Sequence, residues 1–257
     1  MNIGAKKEKT ILLCSFMIFY MMFWHLYVMK EHYSVDDYIM YFNGGREAYW
    51  NTLRNGRYAA MFIYDLFYRF HIIPVIYQRI LGIVFIVSIA LCSACIEYKI
   101  IELLKIKNIY TYISTMFATT LLFANIFIAE WFAFSFAYIQ WILSIVGATF
   151  GAILISEKSV KNKSIGFVFL LIAVNSYQVA LAYYAFLVVV FLFMQNEYQN
   201  NIFLWLKKII EAAVLAVLAI VSNIAVTKVL LTRKIIDSGS RYSHFNISVE
   251  RISEFIK

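Results

Sequence analysis

The chain has 257 residues, of which 63% are hydrophobic, 18% aromatic and only 15% charged, with a single proline; soluble domains carry about 25% charged residues, so a water-soluble globular domain is excluded. A formal charge of +8 would point to nucleic acid in a soluble chain, but here the lysines gather in short connections between apolar runs, as the positive-inside rule expects of a membrane protein. Nucleic-acid binding is therefore set aside, and an all-α, polytopic transmembrane bundle of about 6–7 spans is expected, forming one membrane domain over the whole chain.

In chain order, Lys6, Lys7 and Lys9 precede an apolar run at 10–29, long enough to cross roughly 30 Å of hydrocarbon at about 1.5 Å per residue. No small-residue cleavage site follows, so the run reads as an uncleaved signal-anchor that leaves the N-terminus in the cytoplasm. Residues 30–74 then form an outer loop. Its second half, 59–73, is apolar on one face with Asp65 and Arg69 at i,i+4 spacing, and is expected to lie along the membrane interface. Further spans are expected at 75–96, 110–129 and 131–155, with Glu97, Lys99, Glu102, Lys105 and Lys107 in an inner connection and Glu130 at an outer turn.

Lys158, Lys161 and Lys163 mark the next inner loop. The run 165–194 exceeds one ordinary span and is interrupted by Asn175-Ser176-Tyr177-Gln178. It reads as two short helices meeting at an outer turn, the alternative being one tilted helix with a polar patch. A last span at 209–231 leads to an amphipathic tail over 232–257. Cys14, Cys92 and Cys95 fall inside apolar runs and are expected to be free thiols, and His25, His32, His71 and His244 lack metal-ligand spacing.

Chemistry concentrates in Asp36 to Tyr58, DDYIMYFNGGREAYWNTLRNGRY, since ionisable groups kept at a membrane are expensive without a task. Ser34 three residues before Asp37 resembles a capping box that opens a helix, with Asp36 near its favourable N-terminal dipole. The functional reading competes with that one through the company these acids keep. Arg46, Trp50, Arg54 and Arg57 follow, and Gly44, Gly45 and Gly56 permit close backbone approach. Guanidinium forks match phosphate oxygens, indole faces stack on sugar rings, and a carboxylate accepts a proton from an attacking hydroxyl. An interfacial aromatic belt with arginines at lipid head groups is the competing account of Arg54 and Arg57.

The first span, the outer Asp36-Asp37, the glycine at 44 or 45, Trp50 and Asn55-Gly56-Arg57-Tyr58 together resemble the bacterial membrane glucosyltransferases of the GtrII-like family, of GT-C architecture. Glu130-Trp131 and Tyr177-Gln178 are similar to further positions of that family. The resemblance implies a shortened member or an N-terminal piece of a longer one, with Tyr38-Ile39-Met40-Tyr41 standing where relatives often carry an arginine. It also implies transfer of a hexose, glucose by analogy, from a polyprenyl phosphate carrier to a cell-surface glycan such as O-antigen. The site would lie on the outer face of the cell membrane. On this basis Asp36, Asp37 and Glu130 are candidate catalytic residues, and Arg46, Trp50, Arg57, Trp131, Tyr177 and Gln178 candidate substrate-binding residues. The three acids have oxygens that would suit a divalent metal, but the sequence requires none. A flippase or a non-catalytic component of polysaccharide assembly is the rival reading; a flippase should place charge at mid-depth on several spans, whereas this chain puts most of it at one face.

Overall fold

The computed structural model describes residues 18, 21, 34–43, 46–106, 108–124, 128, 131–195 and 201–236. The regular elements among them are all helical, as hydrocarbon favours, because a helix satisfies its own backbone N–H and C=O groups.

Three short helices come first. Helix α1, Val35–Phe42, opens on a capping box in which the Ser34 hydroxyl accepts from the Asp37 N–H and the Asp37 carboxylate accepts from the Ser34 N–H. Helix α2, Arg46–Arg54, carries Glu47 in its first turn and Arg54 in its last, each matching the dipole end it occupies. It stops at Asn55-Gly56, where Gly56 takes φ 67°, a left-handed conformation that glycine adopts without a Cβ penalty. Helix α3, Tyr58–Arg69, makes the i,i+4 pair read from the sequence, Arg69 Nε donating to Asp65 Oδ2 at 2.8 Å.

The remaining helices are α4 (Gln78–Leu104), α5 (Ile109–Leu121), α6 (Tyr138–Ile155, entered through a 3-10 turn at Ser135–Ala137), α7 (Val160–Val174), α8 (Ala180–Met194) and α9 (Ile202–Thr232). Among the described residues, three stretches, Gln78–Leu104, Ser135–Ile155 and Ile202–Thr232, are long and apolar enough to cross a membrane, of the six or seven spans expected. Helices α5, α7 and α8 have 13, 15 and 15 residues. That is about 20–23 Å of rise, short of the roughly 30 Å hydrocarbon core. The expected first span at 10–29, except Ile18 and Met21, and the tail beyond 236 lie outside the described residues.

The chain breaks between α7 and α8 and turns back: Gln195 Nε2, just after α8, donates to the Ser156 carbonyl at the end of α6, 2.9 Å away. Helix α4 differs from expectation by continuing through Glu97, Lys99 and Glu102 to Leu104. Glu97 is fully buried and belongs to the bundle interior, where neither carboxylate oxygen has a hydrogen-bond partner among the described residues.

Helix α6 is the hub and packs against α4, α7 and α8. Its seam with α7 is built from glycine: a Cβ on Gly147 would lie 2.6 Å from the Phe169 carbonyl oxygen, and one on Gly166 2.9 Å from the Ile155 side chain. Small residues at such seams let helix backbones touch, which is how packing holds helices together where lipid removes the hydrophobic drive.

The ion pairs of the bundle helices gather at one end. There Lys99 pairs with Glu102 (3.2 Å) and Glu157 (3.3 Å), while Glu211 pairs with Lys208 (2.8 Å) and with Lys163. The other end is covered by α1–α3, which meet the start of α6, the α7–α8 break and the last third of α9.

Candidate active site

The two aspartates part company on α1. Asp36 is exposed. Asp37 is fully buried, and both its oxygens are engaged: Oδ2 accepts from the Ser34 N–H (2.9 Å) and hydroxyl (2.8 Å), Oδ1 from the Ser135 hydroxyl (2.7 Å) and the Phe136 N–H (3.1 Å). The carboxylate thus caps α1 and fastens it to the 3-10 turn that begins α6. The capping account of Asp37 describes this geometry, while Asp36 keeps its oxygens toward solvent. Four donors on Asp37 also leave its oxygens poorly disposed for a divalent metal, and among the described residues no three His, Cys, Asp or Glu side chains gather into a metal-binding group.

Arg57 leaves the Gly56 turn and reaches into the bundle end. Its Nη1 donates to Gln140 Oε1 on α6, and its guanidinium carbon stands 4.8 Å from the Tyr177 ring centroid, a cation–π distance. Tyr177 meets Trp131 edge-on at 6.2 Å, and Trp131 stacks on Trp141 at 5.3 Å with 24° between planes. Trp141 also meets Phe134 edge-on at 6.4 Å and packs near Phe85 at 6.0 Å. A guanidinium therefore sits at the edge of a shelf of aromatic rings in which Trp131 and Tyr177 are half-buried and Trp141 is buried behind them, a combination suited to an anionic group joined to a sugar ring.

Tyr64 on α3 connects this shelf to the aspartate. Its hydroxyl donates to the Phe136 carbonyl, next to the N–H that Asp37 accepts. Burial pushes the phenol well above its usual range, a hydrogen bond with Gln140 and the nearby Arg57 charge act against that rise, and the Asp37 charge adds to it. Asp37, Arg57 and Gln140 thus all act on one buried phenol.

Of the other candidates, Gln178 lies under the turn that carries Arg57: its Nε2 is 3.3 Å from the Gly56 carbonyl oxygen and 3.4 Å from that of Asn55. Asn175 receives the Ala59 N–H on its own carbonyl at 2.8 Å. On the far side, Asn223 Nδ2 from α9 donates to the Gly56 carbonyl at 2.7 Å and to Asn175 Oδ1 at 2.9 Å. Arg46 is exposed in the first turn of α2 and Trp50, one turn on, meets Tyr49 edge-on at 5.3 Å; among the described residues neither has a ring or ion-pair contact with the shelf. Glu130 lies outside the described residues.

Four contributors were not singled out from the sequence: Tyr64, Gln140, Trp141 and Asn223. The signal available was polarity out of place, a lone amide within an apolar run, which in a membrane helix marks a required hydrogen bond.

No curated protein and no solved structure matches the chain. The family model described as glucosyl transferase GtrII matches residues 25–253, a span that takes in every candidate residue named above, and the chain belongs to that glucosyltransferase family.

Proposed function

We propose that the protein is a multi-pass glucosyltransferase of the GT-C type in the cell membrane, with its N-terminus in the cytoplasm and its site at the outer face. It takes glucose from a polyprenyl phosphate carrier and passes it to a hydroxyl of a cell-surface glycan such as O-antigen. The observation that carries this reading is the Arg57 guanidinium at the edge of the Trp131–Trp141–Tyr177 shelf, in a chain whose family transfers glucosyl groups. A lipid-linked donor diffuses in the bilayer plane and meets the protein at head-group depth, where the α1–α3 segment would be held.

In the transfer, the acceptor oxygen bonds to the anomeric carbon as the bond from that carbon to the carrier phosphate breaks. Arg57 receives the departing phosphate, supported by Arg46, and the acceptor proton goes to Asp36, whose oxygens are exposed. Asp37 acts by holding α1, and hence Asp36, against the start of α6. Trp131, Tyr177 and Trp50 supply sugar-stacking surface, Gln178 steadies the Arg57 turn, and Glu130 orients the acceptor. A positioned base contributes about 10²–10⁴-fold, and removing one preorganised charge-stabilising donor costs on the order of 10²–10³-fold.

Membranes carrying the parent, Asp36→Ala or Arg57→Ala at matched levels, supplied with labelled polyprenyl phosphate glucose and the cell's own glycan, test this. Both variants are expected to lose at least about 100-fold in transfer. Undiminished transfer by both would remove the proposed chemistry from these residues, and a surface glycan changed in cells lacking the protein but restored in full by both variants would replace the enzyme with the non-catalytic rival.

A further inference from the structure

Helix α9 is the least embedded of the long helices: over its most apolar stretch only 17% of residues are buried. Its buried residues are Ala212, Ala219, Asn223 and Thr227. Two of the four are polar and lie one turn apart, an unusual choice in so apolar a stretch, because an amide in hydrocarbon is costly unless hydrogen-bonded. Both are bonded to the same short stretch of chain, more than a hundred and fifty residues earlier: Asn223 to the Gly56 carbonyl and Thr227 to the Tyr58 hydroxyl, at 2.7 and 2.5 Å. The Thr227 hydroxyl is itself tied to the Asn223 carbonyl at 2.9 Å.

The residue between Gly56 and Tyr58 is Arg57. The Gly56 carbonyl belongs to the peptide that enters Arg57, so a hydrogen bond to that oxygen fixes the plane of the peptide, and with it the direction in which the Arg57 side chain leaves the backbone. Gly56 at φ 67° ends α2 in a turn whose N–H groups are held locally, Gly56 N–H on the Leu53 carbonyl at 3.2 Å and Arg57 N–H on the Thr52 carbonyl at 2.8 Å, which leaves the Gly56 carbonyl on the other side of that peptide to be held from outside. Asn223 makes the shorter of the two bonds to that oxygen, 2.7 Å against 3.3 Å from Gln178 Nε2, while its other N–H is held by Asn175 Oδ1 at 2.9 Å, which ties the last helix, the α7–α8 break and the turn into one knot.

We infer that Asn223, seconded by Thr227, is a positioning residue for sugar transfer: from the last helix it brackets Arg57 and aims its guanidinium at the Gln140–Tyr177 side of the aromatic shelf. This rests on the reading of Arg57 given above. Nothing in α9 need touch substrate for the effect, and the apolar remainder of the helix is free to face lipid.

The test is a double-mutant cycle on transfer in membranes at matched protein level. Asn223→Leu, branched at Cγ like asparagine though larger and at home in a membrane helix, removes the donor; Asn223→Ala is made in parallel, so that accumulation of either one suffices. The leucine variant is expected to lose at least about tenfold in kcat with little change in acceptor KM, and Asn223→Gln to regain part of the loss. In an Arg57→Lys background, already weakened, adding Asn223→Leu should cost less than about threefold, because the group being aimed is no longer the one that fits. A purely structural role would instead multiply the two losses. Multiplicative losses, or more than half of parental kcat in Asn223→Leu while Arg57→Ala is inactive, would overturn this inference alone; an Arg57→Ala as active as the parent would overturn the functional reading and this inference together.

Discussion

Replacing Asp37 by alanine separates the two uses that adjacent carboxylates can have. The substitution strips the acceptor from four donors, the N–H and hydroxyl of Ser34, the hydroxyl of Ser135 and the N–H of Phe136, at 2.9, 2.8, 2.7 and 3.1 Å. The Ser34 groups are part-buried, and their loss is a lost helix cap of about 1 kcal/mol. Ser135 and Phe136 are buried, at 0% and 7% exposure, and each donor left unpaired there costs about 1–3 kcal/mol. Allowing for relaxation shared between neighbours, the sum is about 3–5 kcal/mol, which at about 2–4 °C per kcal/mol for a chain of this length is a fall on the order of 10 °C in Tm. The assay is thermal unfolding of the detergent-solubilised protein, beside transfer activity at matched folded amounts. Asp36→Ala, altering an exposed side chain, should leave Tm at the parental value and abolish transfer. An Asp37→Ala protein as stable as the parent yet inactive would refute the assignment of Asp37 to the scaffold and move the chemistry one residue along.

Gly147→Ala should destabilise the α6–α7 hairpin by about 1–3 kcal/mol, because the added methyl would meet backbone 2.6 Å away and overpacking forces helices apart; the same unfolding assay checks it, and an unchanged Tm would count against the close seam. Tyr64 is held neutral by burial, so its contribution to stability is complete below the phenol's ordinary value of 10.0 and is lost as pH rises above it, when the unfolded chain ionises first. Tyr64→Phe should therefore start less stable at neutral pH, by about 1 kcal/mol for the lost hydrogen bond, and decline less steeply above pH 10 than the parent. Equal alkaline slopes for the two would contradict the burial of this hydroxyl.

What the sequence made legible was local. Ser34 and Asp37 announce a capping box by spacing, and Asn175-Ser176-Tyr177-Gln178 announces a break, because consecutive polar groups in an apolar run need partners that a continuous lipid-facing helix does not offer. The i,i+4 pair of Asp65 and Arg69 is of the same kind. What remained hidden was long-range: no pattern near Asp37 says that its second oxygen is committed to Ser135 and Phe136, and none near Arg57 points to Gln140. The extension of α4 to Leu104 was missed because Glu97 reads as the edge of a span, although glutamate, lysine and leucine are good helix formers and tertiary packing decided the matter.

The glycine seam between α6 and α7 has a mechanical consequence. Backbones in direct contact leave nothing to compress, so Gln140 and Trp141 near the head of one helix and Asn175 to Gln178 at the foot of the other form a single stiff jaw. The three short helices before Gln78 face that jaw differently: they are held to it by hydrogen bonds and by single core side chains, Met40, Ala48, Ala60 and Tyr64, with side chains rather than backbones at the contact.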